Sequence, residues 1–77
     1  MINWQKFKGL IGNGRKKYIE RENKKYLFVS YNSELKEITI IKNKDLEKEK
    51  RVLMIMPLKH FIEDFKFIGQ TNEKPLF

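Results

Sequence analysis

The sequence predicts an α+β domain: a three- to four-stranded antiparallel meander packed on a C-terminal amphipathic helix, with a short N-terminal helix in front. Three observations predict it. Apolar residues recur at three- and four-residue spacing near both ends of the chain. Between Arg15 and Lys42 they follow a period of two instead. Clusters of glycine, asparagine and proline separate these segments. A small SH3-like β-barrel is the alternative arrangement of the same strands.

Trp4, Phe7 and Ile11 sit at helical spacing with Leu10 beside them, and Asn3 is the expected N-cap. Gly12-Asn13-Gly14 then stops the helix, because these residues tolerate the left-handed conformations of a turn. Arg15 to Arg21 reads as a first strand, with Tyr18 on one face and Ile19 on the other. Glu22-Asn23-Lys24 is the expected hairpin turn. Lys25 to Tyr31 is apolar on both faces, with Leu27, Val29 and Tyr31 opposite Tyr26 and Phe28, as a central strand should be. Asn32-Ser33-Glu34 is the second turn, and Leu35 to Lys42 the third strand.

Asn43 to Lys50 has one apolar residue in eight and reads as a solvated connection. Arg51 to Met56 is the fourth, buried strand, closed by Pro57, which has no amide hydrogen for a ladder and suits the first position of a helix. Leu58, Phe61, Ile62 and Phe65 then form the apolar stripe of a helix reaching Lys66, with Gly69 its expected terminator and Gln70 to Phe77 a polar tail. The segment Val52 to Phe65 (VLMIMPLKHFIEDF) is similar to the last strand and following segment of small bacterial SH3-like barrels, in which a Pro-Leu pair ends the strand. That resemblance carries no functional residue across.

Seventy-seven residues make a single small domain, 1–77. A chain of this size buries only roughly 60–65% of the surface it exposes when unfolded. The core is thin, and the working surface is expected to be a face or groove rather than a deep pocket. With no cysteine, disulfides and thiolate metal sites are excluded. The first residues carry no secretory pattern, and the longest apolar run, Val52 to Leu58, is far short of the roughly 20 residues of a membrane span. A soluble, cytoplasmic protein is the expectation.

Charge is the most informative feature for function. The net charge is +7, and residues 1–31 hold +6 of it: Lys6, Lys8, Arg15, Lys16, Lys17, Arg21, Lys24 and Lys25 against Glu20 and Glu22. Ile, Lys and Asn fill 29 of 77 positions, and Lys outnumbers Arg 14 to 3. That is the balance of an AT-rich genome, so the clustering of the charge is better evidence than its total. A concentrated basic face steers association with polyanions.

Four motifs bear on function. Gly9-Leu10-Ile11-Gly12-Asn13-Gly14 has the glycine separation of a phosphate loop, but Arg15 and Lys16 stand where its Lys and hydroxyl belong. Its Gly9-to-Gly12 portion has the spacing of an RNA-binding GXXG clamp with the wrong, apolar middle. An ordinary helix-to-strand turn is expected there. Lys-Lys-Tyr occurs at 16–18 and again at 24–26, and a hairpin is expected to bring the four cations beside Tyr18 and Tyr26. His60, Glu63 and Asp64 share a helix, but a catalytic metal wants a second His or a Cys. Phe61, Phe65 and Phe67 are expected in the core. Trp4 and Tyr31, at element ends, are the candidate anchors for a protein partner.

The sequence therefore points to a non-enzymatic small basic protein without cofactor, metal, membrane or small-molecule substrate. It is expected to bind nucleic acid, as a DNA-binding or RNA-binding protein, along the phosphate backbone, through Lys6, Lys8, Arg15, Lys16, Lys17, Arg21, Lys24 and Lys25 with Trp4, Tyr18, Tyr26 and Tyr31. The alternative is an accessory or inhibitor protein, of the kind phage and mobile elements encode. Such a protein would use the same face for a protein–protein interaction with an acidic surface of a larger host protein.

Overall fold

Asn3 opens the first helix as its side chain requires: its Oδ1 accepts the Lys6 amide at 3.3 Å, and its carbonyl accepts the Phe7 amide at 3.0 Å. The helix, α1, runs Trp4–Leu10 and buries Phe7. The computed structural model describes residues 1–42 and 53–71. The expected connection at 43–50, the start of the fourth strand at 51–52 and the tail beyond Thr71 lie outside the described residues.

Among the described residues five strands form one antiparallel sheet: β1 Lys17–Arg21, β2 Lys24–Asn32, β3 Glu37–Lys42, β4 Leu53–Pro57 and β5 Lys66–Gln70. A second helix, α2, spans Leu58–Asp64. The strand order is β4-β3-β2-β1-β5, so β1 to β4 lie side by side in chain order and β5 returns to the free edge of β1. The architecture is α+β and mostly sheet.

The fifth strand departs from the sequence expectation. The helix was expected to reach Lys66 and end at Gly69, but α2 stops at Asp64, and Phe65 closes it with its amide on the Phe61 carbonyl at 3.2 Å. Gly69 lies inside β5, at a φ of 151° open mainly to glycine, beside a register shift in the β1–β5 pairing. In that shift Tyr18 faces Gly69 and Ile19 faces Phe67, leaving Ile68 as the extra residue. The helical spacing of Phe61 and Phe65 continues to Ile68, and that continuation masks the strand.

A second bulge corrects the faces of β2. Phe28 pairs with Ile40 and Ser30 with Thr39, so Val29 has no opposite number. The odd residue turns Tyr31, three positions after Phe28, onto the same face as Tyr26 and Phe28. Strict alternation would have put Tyr31 with Leu27.

Both helices cover this face. The core joins Ile2, Phe7, Ile19, Tyr26, Phe28, Ile38, Ile40, Met56, Phe61 and Phe65. Phe7 is its hub, with ring centroids 5.0 Å from Phe28, 5.4 Å from Phe61 and 5.4 Å from Phe67. Edge-to-face pairs of this kind add about 0.5–1.5 kcal/mol each beyond their buried area. Backbone bonds tie down the ends of the elements. The Ile2 amide donates to the Ile62 carbonyl at 3.0 Å, and the Leu58 amide to the Lys36 carbonyl at 2.8 Å.

Candidate nucleic-acid interface

Residues 1–19 contain five cations and no acid; Glu20 is the first carboxylate in the chain. Lys6 and Lys8 are exposed on α1. Two positions apart, they project to opposite flanks of the helix, with buried Phe7 between them. Beyond the helix, Gly12 and Gly14 take positive φ, 90° and 79°, and the chain reverses into β1. Arg15, half-buried, and Lys16, exposed, sit on this turn.

The turn is locked at several points. Asn13 Oδ1 accepts the Arg15 amide and Lys17 Nζ, each at 2.9 Å, while Asn13 Nδ2 donates to Gln70 Oε1 at 3.0 Å. The Lys16 amide donates to Thr71 Oγ1 at 3.2 Å, and the Lys16 carbonyl accepts the Thr71 amide at 2.9 Å. Arg15 and Lys16 are thus carried on a loop stitched to the end of β5.

Lys17 belongs to the scaffold rather than to the surface. Its side chain is only 4% exposed, and Nζ also donates to the Arg15 carbonyl at 2.8 Å. Burial lowers its pKa below the ordinary 10.5, because the low-dielectric surroundings disfavour the ammonium form. It has no exposed charge to offer a phosphate.

The antiparallel register separates the two Lys-Lys-Tyr copies that the sequence suggested would meet. Arg21 faces Lys24 and Tyr18 faces Leu27. Lys16 therefore lies at the open end of the β1–β2 hairpin, and Lys24 and Lys25 lie at its turn. A two-residue turn at Glu22-Asn23, both at positive φ, joins the strands there.

Around that turn the sheet gathers a second basic patch. Lys25 faces Glu20, which faces Lys66 and bonds to it at 3.1 Å. Lys42 is brought beside Tyr26. Lys42 and Lys66 lie far from this turn in sequence, and only strand register brings them here. Arg21 lays its guanidinium 4.7 Å from the Phe65 ring centroid and 5.8 Å from that of Tyr26. Both signs of charge occur in this patch, with Glu20 and Glu22 among the lysines.

Of the four aromatic residues expected at the interface, one is buried and three are half-buried. Tyr26 is buried in the core against Phe65, ring centroids 5.5 Å apart, and is not free to stack on a base. Trp4 is half-buried, 4.9 Å from Tyr31 and 6.0 Å from Phe7. Tyr31 is likewise half-buried, and Tyr18 lies half-buried on the opposite face of the sheet. Between α1 and β5 runs an open groove lined by Asn3, Gln5, Lys6, Gly9, Leu10 and Phe67.

His60, Glu63 and Asp64 are exposed on α2. Among the described residues, no group of three or more His, Cys, Asp or Glu is placed to hold a metal ion, and no helix is long and apolar enough to cross a membrane. No protein-family model, curated protein or solved structure matches the chain.

Proposed function

We propose that this chain is a small, non-enzymatic cytoplasmic protein that binds the phosphate backbone of nucleic acid through Lys6, Lys8, Arg15 and Lys16. One observation carries the reading: these cations occupy α1 and its following turn in a stretch of chain with no carboxylate to offset them. A local field of one sign attracts polyanions, and phosphates release counterions when lysines replace them. The locked turn supports it further, since Arg15 and Lys16 lose little freedom on binding. Lys17 drops out of the contact set, and Tyr26 with it. The return of β5 to the edge of β1 is in keeping with the SH3-like barrel alternative for the finer arrangement of the sheet.

The test is fluorescence anisotropy with a mixed-sequence duplex over a range of salt. Four phosphate contacts give a slope of log affinity on log salt of about −3.6. Changing Lys6, Lys8, Arg15 and Lys16 to Gln should flatten that slope and weaken every sequence alike. Changing Lys24, Lys25, Lys42 and Lys66 to Gln should cost much less. Equal losses from the two sets would remove the assignment to α1 and its turn.

A second reading keeps the acidic surface of a larger host protein as the partner, with the chain an accessory or inhibitor protein of phage or mobile-element type. The patch around Glu22 favours it, because alternating charge signs suit a protein surface better than a uniformly negative backbone. Affinity purification with and without nuclease separates the two. A captured protein that survives nuclease, and is lost with Lys24 and Lys25, supports the second reading.

A further inference from the structure

The two edges of the sheet are built differently. β5 opens with Lys66, contains the bulge at Ile68 and takes an unusual φ at Gly69. A lysine and a bulge are devices that keep an edge from pairing with another chain. β4, the other edge, reads Leu53-Met54-Ile55-Met56-Pro57 and has no charge and no register shift against β3. Leu53 and Ile55, 57% and 63% exposed, face away from the helices. An edge this apolar and regular is unusual in a protein that works alone.

Its backbone polarity is fixed by the ladder. The Leu58 amide bonds the Lys36 carbonyl, one step beyond the Glu37–Pro57 pair. Bonded positions recur at every second residue of an antiparallel pair, so Met56 and Met54 direct their amides and carbonyls to β3. Leu53 and Ile55 direct theirs outward. Pro57, without an amide hydrogen, ends the donor row.

We propose that β4 is a homodimer edge, where two copies pair antiparallel about a two-fold axis at Met54. In that register Leu53 faces Ile55 of the second copy and Ile55 faces Leu53. Each pair exchanges two backbone hydrogen bonds, so four outward donors and four outward acceptors are satisfied together. On the outer face, Leu53 of each copy packs beside Ile55 of the other.

A second copy is the occupant for three reasons. The edge is complementary to itself, as an isologous interface must be. Among the described residues β4 is the one edge strand with neither a charge nor a bulge, so assembly through it closes at two. The net charge of +7 would oppose self-association at the basic patch, yet β3, β2 and β1 stand between β4 and the β5 end that carries Arg15 and Lys16.

The test uses the full chain without nucleic acid. Sedimentation equilibrium should show a dimer at tens of micromolar, and Ile55→Lys, at an exposed position, should give a monomer whose melting curve matches that of the natural chain diluted below its dimerisation range. A natural chain that stays monomeric at several hundred micromolar overturns the proposal, as does an Ile55→Lys protein that dimerises as well as before. Register is tested in the cysteine-free background. Leu53→Cys and Ile55→Cys proteins, mixed and oxidised, should form the mixed disulfide in clear excess over either homodimer, since only that pair brings Cα atoms within about 7 Å. Homodisulfides in equal or greater yield overturn the Met54 axis. The cross-link does not depend on the lysine variant, so it decides the matter even if Ile55→Lys fails to fold.

Discussion

Lys17 Nζ lies 2.9 Å from Asn13 Oδ1, and that same oxygen accepts the Arg15 amide at 2.9 Å. One asparagine side chain therefore spends a buried cation on holding the loop that presents Arg15 and Lys16. Among the described residues, no carboxylate bonds to this ammonium, and its neutral partners only partly offset the cost of burial.

Lys17→Met should leave duplex affinity within about twofold, while Lys16→Gln lowers it by the worth of one phosphate contact. Anisotropy titration of the two variants checks the contrast. The pH dependence has a definite sign. The folded pKa of Lys17 is lowered, so between it and 10.5 the unfolded chain holds more protons than the native one. Stability contributed by this group therefore rises with pH through that window and is smaller below it. Denaturant titrations at alkaline pH should show this rise in the natural protein and less of it in Lys17→Met.

Glu22 and Asn23 form the β1–β2 turn at φ of 52° and 64°. Two positive φ angles define the turn that prefers Asn-Gly, and a glutamate in that region is strained. Replacing Glu22-Asn23 by Asn-Gly should raise stability by about 0.5–1 kcal/mol, measured by urea denaturation at unchanged slope. A loss would mean that Glu22 makes a compensating contact in solution.

Gly9 lies inside α1, and a Cβ there would meet nothing within 4 Å. Gly9→Ala should stabilise the chain by about 0.5–1 kcal/mol through helix propensity. It should also leave nucleic-acid affinity unchanged, because a lysine-borne contact needs no close approach of this backbone. A large loss of affinity at raised stability would restore the glycine clamp as the mode of binding.

His60→Ala and Glu63→Gln alter exposed positions of α2. Both should keep duplex affinity and cellular phenotype within about threefold, where loss of a general base costs about a hundredfold or more. A replacement strain and a folded-protein control by circular dichroism make the comparison.

Much of this fold was legible wherever one period held without interruption. Trp4, Phe7 and Ile11 gave the first helix, Asn3 its cap, and the alternation in Ile38 and Ile40 the third strand. Features that depend on partners were not legible. β5 reads as a helix extension because Phe65 and Ile68 keep a three-residue step, and only the free edge of β1 makes Lys66–Gln70 a strand. The candidate site divides the same way. Its lysines were visible as a cluster, but the burial of Lys17 follows from Asn13 folding back, and the arrival of Lys42 and Lys66 follows from register. No local pattern encodes either.

The unpaired Val29 gives the chain a fixed count at one point. Its own side chain is exposed and can be exchanged freely. Removing the residue would return β2 to strict alternation, turn the Tyr31 ring away from Trp4 and strip one wall from the aromatic cluster. Adding a residue would do the same from the other side. Divergent copies of this chain should therefore vary in letter at this position and never in length, and a gap placed there in an alignment would signal a different fold rather than a relative.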